Sequence, residues 1–96
     1  MVKHIVMFKL ADKSPENLEK VVAALRGMEG KIDTLRHLEV GVDFKNSERS
    51  FDLVLTTHFE SPSGLATYSS HPVHLPVVDL IQSLCTQTVV VDYETP

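Results

Sequence analysis

Residues 2–10, VKHIVMFKL, are rich in β-branched and aromatic side chains and predict a β-strand. Successive side chains of a strand point to opposite faces, so His4 and Phe8 share one face while Ile5 and Met7 share the other. An antiparallel sheet that is covered on one side needs apolar side chains on one face only. The centre of this segment is apolar on both faces, and we therefore expect both faces of the sheet to be covered.

Two later segments begin with a serine followed by a proline, at Ser14-Pro15 and at Ser61-Pro62. Serine is a favourable helix N-cap and proline fits the first helical position, so both segments predict helix starts. His71-Pro72 predicts a helix break, because the residue before a proline avoids the helical conformation. Apolar residues at spacings of three and four complete the pattern and predict helices at residues 15–30, 62–70 and 73–84.

Apolar-rich and alternating segments predict three more strands, at residues 37–44, 51–60 and 88–93. The order β-α-β-β-α-β, with the second helix split, predicts an α+β fold: a ferredoxin-like plait with a four-stranded antiparallel sheet. We expect residues 1–96 to form one such domain. An uncovered apolar sheet face predicts an interface, and its simplest cover is the same face of a second copy in a homodimer. On the side opposite the helices, this face would carry Ile5, Met7, Val54, Val89 and Val91.

Composition and charge exclude several classes of partner. The 96 residues include nine lysines and arginines against 13 acidic residues, for a net charge of −4, and the basic residues are scattered. Binding to nucleic acid through phosphates needs a basic patch, so nucleic acid is not an expected partner. No apolar run is long enough for a membrane span, and we expect no membrane association and no signal peptide. The single cysteine, Cys85, excludes an internal disulfide and suits a reducing compartment, so we expect a cytoplasmic protein.

The motifs of common cofactors and metals are missing from the sequence. It has no glycine-rich phosphate loop and no dinucleotide fingerprint, so we expect no cofactor. The five histidines form neither His-x-x-x-His on a helix nor His-x-His on a strand. His71 and His74 are the only close pair, and Pro72 lies between them. The sequence therefore favours a site without metal.

The segment YSSHPVH (residues 68–74) is the most specific local pattern, because it places a phenol and two imidazoles within seven residues. A phenol beside an imidazole is able to share proton transfer, since histidine titrates near neutral pH. Tyr68 and His74 are therefore candidate catalytic residues, and His71 is a candidate ligand-binding residue. The alternative is structural: Tyr68 packs its ring in the core, and His71-Pro72 only ends a helix.

His4 and Asp92 are further polar candidates, and both lie in predicted strands. On the helix-facing side of its strand, His4 needs a hydrogen-bond partner or stays uncharged, and the alternative is a histidine that is satisfied within the core. If Asp92 also faces the helices, His74 is its candidate partner. Such a pair would fix the tautomer of His74 and raise its pKa, as in many general bases. The alternative is an Asp92 that faces solvent.

Four segments resemble the stress-responsive dimeric α+β barrel (Dabb) family: residues 2–9, the strand of residues 51–61, the Tyr68 to His74 segment, and residues 90–93 (VVDY). The resemblance covers nearly the whole chain. It implies a ferredoxin-like protomer whose sheet packs face to face with that of a second copy, in a homodimeric barrel. The family includes stress-induced plant proteins, members without an established activity, and a plant polyketide cyclase that performs an aldol condensation.

The resemblance also implies roles for individual residues. The tyrosine and the acid/base histidine of the cyclase correspond to Tyr68 and His74. Its first-strand histidine and last-strand aspartate correspond to His4 and Asp92. The shape of the pocket does not carry over, because the chain lacks a third-strand histidine and an aromatic pocket residue that the cyclase has. Their positions hold Leu53 and Cys85.

Two functional hypotheses follow. In the first, the protein binds a small organic molecule between sheet and helices and performs cofactor-independent acid/base chemistry. His74 is then the general base, Asp92 orients it, and Tyr68 holds a carbonyl oxygen. The rest of the expected lining is His4, Phe8, Leu53, Leu55, His71 and Val90. In the second hypothesis the protein is a non-enzymatic stress-response dimer, and a core without a cavity would favour it.

Overall fold

The computed structural model describes all 96 residues, and its elements follow the predicted order. They are β1 (Val2–Leu10), α1 (Pro15–Arg26), β2 (His37–Val42), β3 (Leu53–Phe59), α2 (Pro62–Ser69), α3 (Leu75–Leu84) and β4 (Cys85–Glu94). The strands form one antiparallel sheet in the order β2-β3-β1-β4. The fold is therefore the predicted ferredoxin-like plait with a split second helix.

Both serine-proline signals begin helices. The Ser14 hydroxyl accepts a hydrogen bond from the Asn17 N–H at 3.1 Å, and the Ser61 hydroxyl accepts one from the Gly64 N–H at 3.3 Å. An N-cap of this kind stabilises a helix by about 1 kcal/mol. The starts of α1 and α2 therefore follow from local chemistry.

Two helix boundaries differ from the prediction. α1 ends at Arg26, because the chain then continues in turns closed by i→i−3 bonds, such as the bond from the Met28 N–H to the Leu25 carbonyl at 3.2 Å. α3 begins at Leu75, after a turn in which the His71 carbonyl accepts two backbone bonds. None of the three helices has the length and apolar character that a membrane crossing requires.

β1 lies inside the sheet and sets which side chains share a face. His4 lies opposite Asp92 of β4 and opposite Thr57 of β3. β4 is longer than predicted, because it stays paired with β1 from Glu94 back to Cys85. The side chains of His4 and Asp92 therefore meet on the same face of the sheet.

The core lies between one face of the sheet and the helices. Val21 and Leu25 of α1 are fully buried in it, and each such burial contributes about 1.5–3 kcal/mol. The other face is open in a single chain, and it carries the exposed apolar residues Met7 and Val91, which are 41% and 62% exposed. The prediction of apolar side chains on both faces is confirmed.

Candidate functional site

A cavity of about 370 Å³ lies between the sheet and helices α1 and α3. Most of its lining is apolar, and Tyr68, His4 and His74 are among its polar groups. Pockets for small organic ligands have this character and range from about 300 to 1,000 Å³. The interior is therefore large enough to admit a small molecule.

Five of the residues predicted to line a cavity border this one. His4, Phe8, Leu55, Tyr68 and His74 line the cavity, as the helix-facing positions of their elements predict.

Leu53 and Val90 of the predicted lining do not border this cavity, and neither do the candidate ligand-binding residue His71 and Asp92, which was predicted to orient His74. Leu53 packs within the core. Val90 is 56% exposed, because β4 is an edge strand and no helix covers it there. His71 belongs to the turn between α2 and α3, where its Nδ1 accepts a hydrogen bond from the Val73 N–H at 3.0 Å.

Other lining residues were not singled out from the sequence. α1 contributes Leu25 and Met28, and α3 contributes Val77 and Ile81. Their helical spacing predicts that they face the sheet, but it does not separate a cavity wall from a filled core. Cys85 also lines the cavity. Burial, and then the negative charge of Asp52, raises the pKa of the Cys85 thiol, so this thiol stays protonated at neutral pH.

Tyr68 is the most deeply buried polar residue of the cavity, with 1% of its surface exposed. Its ring centroid is 4.2 Å from that of His74 and 5.9 Å from that of His4. The hydroxyl has no hydrogen-bond partner in the chain. Every fully buried side-chain polar atom does have a partner, so the hydroxyl is not fully buried, and it opens into the cavity that Tyr68 lines. Burial raises the pKa of Tyr68 to about 12. The phenol is therefore neutral and free to donate a hydrogen bond.

His74 is the N-cap residue of α3, and its ring turns back towards the end of α2. Its Nδ1 lies 3.0 Å from the carbonyl oxygen of Ser69. A carbonyl only accepts, so Nδ1 carries the hydrogen and Nε2 of the neutral ring is an acceptor. Burial lowers the pKa of His74. The hydrogen bond to Ser69 raises this pKa, and the nearby His4 and His71 lower it, so that the net shift is downward. The ring is therefore a neutral base at pH 7.

The predicted pairing of Asp92 with His74 is wrong. The Asp92 carboxylate pairs with Nδ1 of His4, because the register of β1 and β4 places these two residues opposite each other. Nδ1 of His74 donates to the Ser69 carbonyl instead, and burial outweighs this bond and lowers the pKa of His74. A carboxylate fixes the hydrogen of His4 on Nδ1 and leaves Nε2 without a partner in the chain.

The arrangement suits acid/base chemistry. A neutral phenol lies beside two imidazoles, each held through Nδ1 by an acceptor of the chain. These three side chains leave the Tyr68 hydroxyl and two Nε2 atoms available to a ligand. No group of three or more histidine, cysteine, aspartate or glutamate side chains in the chain is placed to hold a metal ion.

Comparison with known proteins relates the whole chain to one family. The model of a family described as "Stress responsive A/B Barrel Domain" matches residues 2–95. An uncharacterized protein of Streptomyces coelicolor is 30% identical over 97 residues, which are 98% of this chain and 99% of that protein.

Solved structures share the fold over nearly the full length. A dimeric ferredoxin-like protein of unknown function from Thermobifida fusca superposes with a TM-score of 0.88 at 23% identity, over 98% of this chain and 90% of that one. A dimeric protein of unknown function with a ferredoxin-like fold, from Bacteroides fragilis, has a TM-score of 0.83 at 30% identity, over 98% and 95%. Hydroxynitrile lyase from Passiflora edulis has a TM-score of 0.84 at 18% identity, over 96% and 90%.

Proposed function

The chain belongs to the stress-responsive A/B barrel domain family, and from this premise we propose that it binds a small organic molecule in the cavity beside Tyr68 and performs acid/base chemistry on it without a cofactor. The observation that carries the proposal is the free hydroxyl of Tyr68. Because this hydroxyl opens into the cavity and donates to no group of the chain, it is available to donate a hydrogen bond to a ligand oxygen.

The cavity suits a ligand with an apolar body and one accepting oxygen. Phe8, Leu55 and Ile81 are among its apolar walls, and the Tyr68 hydroxyl supplies the donor. His4 and His74 flank the Tyr68 ring, so the phenol that binds the oxygen has an imidazole on either side. A carbonyl compound meets these requirements.

The reaction that fits is removal of a proton from the carbon next to the carbonyl group. Nε2 of His74 takes the proton, the electron pair of the broken C–H bond forms a carbon–carbon double bond, and the π pair of the carbonyl group moves onto its oxygen. Tyr68 stabilises this oxygen by donating its hydrogen bond, and His74 later returns the proton. No oxidant or co-reactant is needed. The same proton removal begins an aldol condensation, the chemistry of a polyketide cyclase.

A fold neighbour with an enzyme's name supports chemistry in this architecture, although it is similar to this chain in fold alone. Hydroxynitrile lyase from Passiflora edulis has the same fold at 18% identity. The second candidate function is a non-enzymatic stress-response dimer. The observation that favours it is the open apolar face of the sheet, which a ligand in the cavity does not cover.

We also propose that the chain forms a homodimer through the sheet face opposite the helices. Met7, Val91 and Tyr93 are exposed on this face, and their burial by a second copy would be favourable. The Thermobifida fusca and Bacteroides fragilis neighbours are described as dimeric, which supports the proposal. Light scattering tests it, because a dimer has twice the 10.7 kDa mass of one chain.

The free thiol of Cys85 supports our proposal of a cytoplasmic location, which cell fractionation tests.

Acetophenone is a suitable probe of the acid/base proposal, because it has an aromatic body, a carbonyl oxygen and exchangeable methyl protons. We expect the protein in D₂O to accelerate exchange of the methyl protons, followed by NMR. His74→Gln should slow this exchange at least about tenfold, as loss of a general base does, and His37→Gln should not. Tyr68→Phe should weaken binding and exchange, and Tyr93→Phe is its matched control.

The outcomes separate the two functions. Exchange that survives His74→Gln contradicts the role of His74. Binding that needs the Tyr68 hydroxyl without any accelerated exchange favours a non-enzymatic binding protein. Absence of both binding and exchange contradicts the proposal for aryl ketones.

A further inference from the structure

The open face of the sheet is apolar at one end and polar at the other. Two rows of side chains across the four strands show this contrast. The apolar row consists of Gly41, Val54, Met7 and Val89. The polar row consists of His37, His58, Lys3 and Tyr93. Association through a sheet face gains from apolar burial and loses from desolvated charge. A partner is therefore held best at the apolar end, where the hairpin between β2 and β3 lies.

Phe44 projects from this hairpin and is 93% exposed. Its loop is ordered, since the Asp43 N–H donates to the Asp52 carbonyl at 2.9 Å and the Asn46 N–H donates to the Asp43 carboxylate at 2.8 Å. Full burial of a phenylalanine contributes about 1.5–3 kcal/mol, which a single chain does not gain here. The hairpin therefore presents an aromatic side chain in a defined place.

A shallow groove of about 500 Å³ lies at the same end of the sheet, and Phe44 itself lines it together with the charged Asp43 and Arg49. Met7, Val42, Phe51 and Val54 supply most of its apolar lining. Gly41 keeps it open, because a Cβ atom at this position would lie only 3.2 Å from Cγ1 of Val54. The apolar end of the face thus carries both a projecting aromatic ring and a groove.

A second copy is the occupant that fits this surface. A two-fold interface uses the same patch on both molecules, so a projection on one copy needs a groove on the other, and the apolar end of the face carries both. The hairpin with Phe44 is continuous with the apolar row and extends the apolar end beyond the sheet. The dimeric neighbours support the same occupant.

We infer that, in the homodimer, Phe44 of each copy inserts into the groove beside Gly41 and Val54 of the other copy. This inference rests on the proposed dimer and adds to it which end of the sheet face carries the contact. The ring of Phe44 then becomes buried in the assembly, and the polar row with His58 lies at the rim.

The test is the dimer dissociation constant of the full chain by analytical ultracentrifugation. Phe44→Ser should raise it at least about tenfold, since tenfold corresponds to about 1.4 kcal/mol. Glu48→Ser, in the same hairpin, is the control and should leave it unchanged. The melting temperature of the separated Phe44→Ser chain should match that of the wild-type chain under dissociating conditions, because the side chain makes no core contact in one chain.

A second variant, Val91→Asp on the open sheet face, distinguishes a wrong Phe44 contact from a wrong dimer. If Val91→Asp dissociates the dimer and Phe44→Ser does not, the sheet-face dimer stands and the Phe44 contact is wrong. If the wild-type chain is monomeric at micromolar concentration, the proposed dimer itself is wrong.

Crosslinking supplies a geometric test that does not depend on stability. In a Cys85→Ser background, a Phe44→Cys chain mixed with a Val54→Cys chain should form an intermolecular disulfide under mild oxidation. A Glu48→Cys chain mixed with the same Val54→Cys chain should form much less. Equal yields from the two mixtures would overturn the inference.

Discussion

Asp92 and His4 pair across two neighbouring strands although they lie 88 positions apart in the chain. This pair separates the roles of the two imidazoles beside Tyr68. His4 is oriented by a carboxylate, whereas His74 is oriented by the Ser69 carbonyl and has a pKa lowered mainly by burial. His74 is therefore the candidate general base, and Asp92 is a positioning residue for His4.

The Asp92–His4 pair predicts a selective effect of Asp92→Asn. An asparagine no longer provides a charged acceptor, so the Nδ1–H tautomer of His4 should lose its preference while His74 keeps its bond to Ser69. ¹⁵N NMR of the histidine rings measures both tautomers, and Asp79→Asn on the exposed side of α3 is the control. A change at His74 without a change at His4 would contradict the pairing.

Tyr68→Phe is predicted to leave the protein as stable as the wild type. The hydroxyl has no partner in the chain, so its removal takes away no hydrogen bond of the fold. Tyr68→Ala, by contrast, should cost about 3–5 kcal/mol, because the whole buried ring is lost. Urea unfolding measures both free energies. A loss above about 1.5 kcal/mol in Tyr68→Phe would mean that the hydroxyl supports the fold.

Local signals predicted most of the fold. The two serine-proline caps and the alternation of residues 2–10 depend only on neighbours in the chain, and the structure has the corresponding helices and first strand. The end of α1 was less predictable, since the turn after Arg26 keeps Met28 in the core without a regular helix. Apolar spacing reports which side chains are buried, whether or not the backbone remains helical.

The site was predicted less completely, because its contacts depend on long-range register. Tyr68 and His74 were found through their spacing in one short segment. The partner of Asp92 depends on how β4 aligns with β1, and a sequence pattern does not fix this alignment. Val90 lies on the helix-facing side of the sheet, as predicted. Its exposure depends on how far the helices extend over the sheet, which the sequence pattern does not give.

Asp52 directly precedes β3, and the structure buries it to 7% exposure. Its carboxylate accepts a hydrogen bond from the Leu10 N–H at 2.7 Å and lies 3.5 Å from the Lys13 ammonium. Asp52→Ala should lower the free energy of unfolding by about 1–3 kcal/mol, since it leaves the Leu10 N–H unpaired. Lys13→Met should cost less than about 1 kcal/mol, as expected for a partly exposed ion pair.

Urea unfolding of both variants measures this difference, and Asp33→Ala at an exposed position is the control. A loss in Lys13→Met equal to that in Asp52→Ala would show that the ion pair, and not the backbone hydrogen bond, gives Asp52 its importance.

The stability of the protein is predicted to fall as the pH falls below about 6.5, the ordinary pKa of histidine. Burial lowers the pKa of His74, and burial with the charges of His37 and Lys3 lowers that of His58. The unfolded chain therefore binds protons that the folded chain does not, so the stabilisation is complete above the unfolded pKa and is lost below it.

Because His74 lies in the cavity and His58 on the opposite sheet face, their effects should add. Urea unfolding between about pH 8 and pH 5 should show a smaller pH dependence in His74→Gln and in His58→Gln, and the smallest in the double variant. An unchanged pH dependence in the double variant would contradict both assignments.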